Sequence, residues 1–263
     1  MLRVELGSVG EETRPADVSV SNWDCTLEEG AVRLGLRMVG GLAATAGTRI
    51  IASRPWSSVA ELAQHADLNR KDLNSLAAAG ALQSLAGHRR HARWAAAGVE
   101  SRPPMNVLQA AERAPVFAAP GEAEEIAADY ASLGLTLGRH PLALLRTHLK
   151  GMKMVKAEEI SSLPHGSRVR TAGLVTCRQR PGTATGVVFV TLEDETGCVN
   201  VIVWSSLFER YRRELLGARL LGVEGRIESS DGVVHLIARR FQNGSALLRR
   251  VVGELTADSH DFH

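Results

Sequence analysis

Five short β-strand patterns crowd the stretch from Arg168 to Arg240, and they constrain this chain more than any other feature. Arg168 to Cys177 is the first. Gly186 to Glu193 (GVVFVTLE) is the second, closed by the turn Asp194-Glu195-Thr196-Gly197, and Cys198 to Trp204 (CVNVIVW) is the third. A helical segment from Leu207 to Leu216 follows. Arg219 to Glu228 and Val233 to Arg240 complete the set, joined by Ser229-Ser230-Asp231-Gly232, a sequence suited to a hairpin turn. Three strands, a helix, then two strands is the order of an OB-fold barrel. Such barrels offer strands two and three to single-stranded nucleic acid or oligosaccharide, so the pattern points to binding rather than catalysis.

The alternation within those strands assigns their faces. Val188, Val190 and Leu192 line one side of the second strand, and Val199, Val201 and Val203 one side of the third. These must fill the barrel. Phe189, Thr191, Asn200 and Trp204 are left outward, where an aromatic ring can stack a base. Trp204 has an alternative place, packed beneath the helix that begins at Leu207. Arg178 and Arg180 fall after the first strand, placed for phosphate. The formal net charge of the whole chain is only +2, but residues 165–252 hold 13 Arg against 8 Asp and Glu, while residues 253–263 hold three acids and no Lys or Arg. The positive charge is therefore concentrated in the barrel region, as Arg, whose planar fork suits phosphate.

No catalytic or metal-binding residue is expected. The nearest carboxylate cluster, Glu193-Asp194-Glu195, lies at a hairpin turn, where neighbouring side chains point to opposite faces and a solvated turn is the expectation. Cys25, Cys177 and Cys198 form no CxxC pair and have no His at metal spacing. Cys177 and Cys198 read as core residues of strands. No apolar run is long enough to span a membrane, and a cytoplasmic location is expected.

The first half of the chain reads as helical. Residues 1–30 have weak periodicity and little core potential, as a linker or the remnant of something larger. Ala31 to Val39 alternates as a strand would; Gly40-Gly41 breaks it, and Ala43 to Ser53 is helical. Ser57 is a plausible cap for Val59 to His65. Asn69 reads as the cap of the helix Arg70 to Ala79, with Asp72 completing a capping box and Gly80 closing it. Helices separated by tight glycine turns fit either ordinary helical hairpins or paired helix-hairpin-helix motifs, in which backbone N–H groups meet a DNA phosphate. On the second reading the duplex contacts are Gly40, Gly41, Asn69, Arg70, Lys71, Arg89 and Arg90. The run Gly87 to Trp94 (GHRRHARW) is a phosphate patch or a solvated helix face. Glu122 to Leu133 is amphipathic, and Pro141 opens a helix through Leu149. The expected organisation is a remnant or linker over 1–30, a tandem helix-hairpin-helix domain over 31–100, a proline-containing linker with helices over 101–164, the OB-fold over 165–252 and an acidic tail over 253–263. The fold class is α+β and multidomain.

The ordered set Asp17–Leu27 (DVSVSNWDCTL), Leu34–Leu42 (LGLRMVGGL), Ala79–Leu85 (AGALQSL), Gly87–Trp94, Tyr130–Leu145 (YASLGLTLGRHPLALL) and Gly173–Trp204 resembles the C-terminal part of the bacterial error-prone DNA polymerase family, relatives of the DNA polymerase III alpha subunit. The resemblance covers about Arg14 to His263. It implies helix-hairpin-helix motifs that hold duplex DNA and an OB domain near single-stranded template, in a translesion enzyme induced by DNA damage. It also implies that the palm carboxylates, with their Mg²⁺ and dNTPs, are missing here, so that this chain has no cofactor, is inactive alone, and derives from a split gene, a truncated reading frame or a fragment. Gln109 lacks the hydrophobic plug of a sliding-clamp motif, so the clamp is expected to be reached through accessory translesion proteins. The alternative is a free-standing single-stranded-DNA-binding or repair accessory protein.

Overall fold

Short helices, several of them started by a side-chain cap, build the first half of the molecule. The computed structural model describes residues 12–99, 115–181, 186–230, 232–252 and 260–261. Gln109, Asp231 and most of the acidic tail lie outside these residues. The chain divides into two units, Leu2–Leu137 and Gly138–His263.

The first unit opens with a small sheet of β1 (Thr13–Arg14), β2 (Thr26–Glu28) and β3 (Ala31–Arg33), in the order β1-β3-β2. The strand expected over 31–39 stops at Arg33 and becomes a 3-10 turn, Leu36–Met38. The reason is local: the amides of Leu36 and Arg37 donate to the carbonyls of Asn22 and Trp23, which fold back against them. Then come α1 (Ala44–Ala52), α2 (Val59–His65), α3 (Arg70–Ala78), α4 (Gln83–Ala86), α5 (Arg89–Gly98) and α6 (Glu122–Leu133). Ser58 rather than Ser57 caps α2, accepting from the Glu61 amide, while Ser57 binds the Glu61 carboxylate. The Asn69–Asp72 capping box of α3 forms as expected.

Leu36, Ile50, Leu62, Leu73, Leu76 and Leu82 are almost fully buried and centre the core of this unit. Residues 16–23, read as having little core potential, belong to that core: Ala16 and Val18 are buried in it and Trp23 packs against it. At Gly47 on α1 a Cβ would come within 2.4 Å of the Trp23 ring, so only glycine lets the indole lie there. Arg54 fastens the same segment by donating to the carbonyls of Val18 and Ser21, and its burial pulls its pKa below the ordinary value. Two apolar residues without periodicity give no pattern to read, and their burial is decided by partners more than thirty positions away.

The second unit places α7 (Pro141–Gly151) and α8 (Ala157–Ser161) before a barrel of β4 (Arg168–Gln179), β5 (Val188–Asp194), β6 (Gly197–Val203), β7 (Leu220–Ser230) and β8 (Val233–Asn243). The strand order is β5-β6-β8-β7-β4, and β4 pairs again with β5, which closes the barrel. Between β6 and β7 the single expected helix is two, α9 (Ser205–Arg210) and α10 (Arg212–Gly217). They break at Tyr211, whose ring meets Phe241 edge-on. After β8 come α11 (Ser245–Val252) and β9 (His260–Asp261), which runs parallel to the end of β4. Val188, Val190, Leu192, Val199, Val201 and Val203 all point inward and are buried, as their alternation required. The two strand cysteines do not join them: Cys177 is half-buried and Cys198 exposed.

Candidate nucleic-acid interfaces

Three helix starts in the first unit differ in how their free backbone N–H groups are satisfied. α2 and α3 are closed by their own side chains, Ser58 and the Asn69–Asp72 box. The Asn69 side chain is therefore spent inside the chain, and its amide faces the Asp72 carboxylate at 3.4 Å, so Asn69 is not an open phosphate donor. α1 follows Ala43, its N-cap residue, with no side-chain cap, and Gly41, Ala43, Ala44 and Thr45 are exposed. Its first-turn amides keep their hydrogens for an outside acceptor. Gly41 holds φ +84°, a left-handed value, and a Cβ there would lie 3.1 Å from Ser75 Oγ and 4.0 Å from Lys71 Cε. The structure thus brings Gly41 and Lys71 together. Gly40 is different: its amide donates to the Ser132 carbonyl at 2.7 Å and is not available to DNA. Arg70 is exposed and, among the described residues, has no ion pair.

The basic run on α5 is spent in part on folding, and Arg93 and Trp94 remain exposed. Arg89 is buried, with guanidinium contacts to Glu125 and Asp129 of α6 and a hydrogen bond to the Ala78 carbonyl. Arg90 pairs with Glu124 and donates to the Ala118 carbonyl. His88 and His91 stack on each other and hold the backbone at Pro115 and Phe117. Arg89, Arg90 and the two histidines dock the chain segment that leads into and forms α6.

In the second unit Arg178 leaves the expected set of phosphate contacts for the same reason. It lies within β4, 4% exposed, and donates to the carbonyls of Leu215 and Ala218 at the end of α10. The turn Glu193-Asp194-Glu195 is not solvated either. Asp194 is buried, accepting from the amides of Ala157, Thr196 and Gly197 and from the Thr196 hydroxyl, and Arg146 of α7 bridges Asp194 and Glu195. Burial works against the Arg146 charge, but the hydrogen bonds and charges of Glu195 and Asp194 outweigh it and raise its pKa above the ordinary value. No group of His, Cys, Asp and Glu among the described residues could hold a metal ion.

The outer face of the barrel is arranged in cross-strand rows. Gln179, Phe189, Ile202 and Ile237 face each other across β4, β5, β6 and β8. The next row is Thr191, Asn200, His235 and Glu228, with Thr191 Oγ1 3.4 Å from Asn200 Oδ1. Trp204 follows the end of β6 and is 54% exposed, so it does not pack beneath α9. Arg180 is exposed at the end of β4, near the Phe208 ring.

Comparison with known proteins agrees with both units. Residues 10–92 match the model of the helix-hairpin-helix motif, and residues 168–243 that of the OB-fold nucleic acid binding domain. The chain is 50% identical to the error-prone DNA polymerase of Azoarcus sp. (strain BH72), over 97% of this chain and 25% of that one. It is 51% identical to the error-prone DNA polymerase of Alkalilimnicola ehrlichii over the same shares, and 53% to that of Aromatoleum aromaticum over 94% and 24%. The chain is homologous to a part of the error-prone DNA polymerases. It spans about a quarter of the length of these curated relatives.

In this polymerase homologue, sequence reasoning missed three members of the outer face, Ile202, His235 and Ile237, and the arginines of α9 and α10. The strand residues were legible in principle, since each shares its row with one already picked. Ile202 was hidden by its apolarity, which reads as core. No helix among the described residues is long and apolar enough to cross a membrane.

Proposed function

We propose that this chain is the DNA-holding part of an error-prone DNA polymerase, with separate surfaces for duplex and single strand. Duplex phosphate is met by the uncapped start of α1, the Gly41 turn and Lys71. Single-stranded template lies over the barrel, where Phe189 stacks a base and Thr191 and Asn200 offer hydrogen bonds to base edges. In the whole polymerase, dNTPs and Mg²⁺ belong to a separate palm domain, and recruitment runs through accessory translesion proteins.

The observation that carries this reading is the outer face of β5 and β6. Its side chains are half-buried or exposed and include an aromatic ring, directly above a barrel closed and filled by valine and leucine. A face not needed for the core, carrying a stacking ring beside hydrogen-bonding groups, matches what single-strand binders use.

Titration of the chain with duplex and single-stranded oligonucleotides tests it. Phe189→Ala is expected to weaken single-strand binding by roughly 1–3 kcal/mol and leave duplex binding unchanged. Lys71→Glu is expected to do the reverse, and to lower the duplex salt slope by about 0.9 for each phosphate no longer neutralised. If both variants keep a native circular dichroism spectrum and bind both DNA forms as the parent does, the two-surface reading fails.

A further inference from the structure

The helical end of the barrel carries exposed positive charge. Arg178 is consumed inside, fixing the end of α10 through Leu215 and Ala218. Two residues on, Arg180 is exposed, and its guanidinium carbon lies 5.9 Å from the centre of the Phe208 ring. The guanidinium carbon of Arg212 lies 5.9 Å from the same centre. The two charges are therefore within twice that distance of each other, with a buried aromatic ring shared between them. Arg210 lies 6.0 Å from the Tyr211 ring, and Arg213 is exposed.

Acids offset this cluster poorly. Arg212 has Glu209 at 3.7 Å, with both side chains more than 60% exposed, and Glu214 is the other acid of these helices. Among the described residues Arg180 and Arg213 have no ion pair. Arg180, beside a ring with no such ion pair, and Arg212, beside the same ring with only a loose, exposed carboxylate, are suited to phosphate, which the planar fork grips through two parallel hydrogen bonds. Trp204 joins β6 to α9 at this end, two positions beyond Ile202, and is exposed. The opposite end of the same face carries Glu193, across from Cys198, and Glu228, across from His235.

We propose that Arg180 and Arg212 form a phosphate clamp on single-stranded DNA, continuing the strand face past Trp204. The strand is then held asymmetrically. Its backbone is gripped at the helical end, and bases lie on the rows of Phe189 and Asn200 toward the acidic end. This rests on the single-strand reading of the barrel face.

The test is binding of an unstructured oligothymidine by the whole chain over a range of salt concentrations. Changing Arg180 and Arg212 together to Ala is expected to flatten the slope of log affinity against log salt by about 0.7 for each phosphate no longer neutralised. Changing both to Lys keeps the charges and is expected to keep the slope. Changing the exposed Arg249 and Arg250 of α11 to Ala removes the same charge and is expected to leave the slope as it was. A natively folded Arg180→Ala, Arg212→Ala variant with the parent slope overturns the clamp. So does equal flattening by the α11 pair, since net charge alone would then account for the effect. If Phe189→Ala still weakens binding in either case, the single-strand reading stands and only the clamp falls. If the parent chain does not bind the oligonucleotide at all, both fall.

Discussion

Two arginine-rich helical stretches, Arg89–Arg93 on α5 and Arg210–Arg213 on α9 and α10, are alike in composition and differ in their partners. On α5, the acids of α6 arrive from more than thirty residues away: Glu125 and Asp129 take Arg89, and Glu124 takes Arg90. On α9 and α10 the acids at hand are exposed neighbours in the same helices, and the guanidiniums lean on Phe208 and Tyr211 instead. Whether an arginine is spent on folding or left for a ligand depends on where the chain places its carboxylates. Local density of positive charge does not reveal it.

That contrast breaks first at Arg89. Arg89→Ala leaves two carboxylates facing each other where the guanidinium was, and truncating one partner of a buried ion pair is expected to cost about 3–5 kcal/mol. Chemical denaturation measures it, and a loss below about 1 kcal/mol would put Arg89 with the exposed arginines, which contribute little to stability. Arg178→Ala is the next largest. It strands the carbonyls of Leu215 and Ala218, with an expected cost of about 2 kcal/mol, while the salt dependence of DNA binding stays as in the parent. Arg180→Ala, two positions along, is expected to reverse that pattern, with stability within about 0.5 kcal/mol of the parent and a flatter salt slope.

The smallest effect sharpens the comparison through pH. The Arg90 hydrogen bond, with the Arg90 and Arg93 charges, holds the Glu124 carboxyl below its ordinary pKa against a smaller opposing effect of desolvation. A carboxylate whose folded pKa is depressed contributes stability above the ordinary carboxylate range, and that contribution disappears as pH falls through the lowered value. Glu209 pairs loosely with Arg212 by comparison. A nuclear magnetic resonance titration of Glu124 is expected to move back toward the ordinary value in Arg90→Ala; no movement would break the assignment of Arg90 to folding.

Much of the barrel was legible because its signal is short-ranged. Val188, Val190 and Leu192 against Phe189 and Thr191 fix a strand and its two faces within a few residues, and the same holds from Val199 to Val203. The Asn69–Asp72 box and the helix opened by Pro141 are equally local. The unreadable features were those set by distant partners. Ala16 and Val18 are buried by helices that follow much later, Arg89 and Arg178 by acceptors 36 to 40 positions on, and Asp194 by Arg146 and Ala157. Of the proposed DNA-facing residues, Gly41 and Lys71 were read separately, and only folding places them side by side.

The Asp194 carboxylate has a consequence for how the second unit opens. It accepts from amides on both sides of a long interval, Ala157 at the start of α8 and Thr196 and Gly197 in the β5–β6 turn. Those amides cannot be released one at a time without leaving a buried charge short of donors. α8 and the β5–β6 hairpin, though separated by strand β4, are therefore expected to open as a single cooperative unit in hydrogen exchange, with the tip of the hairpin slower to fray than an ordinary surface turn.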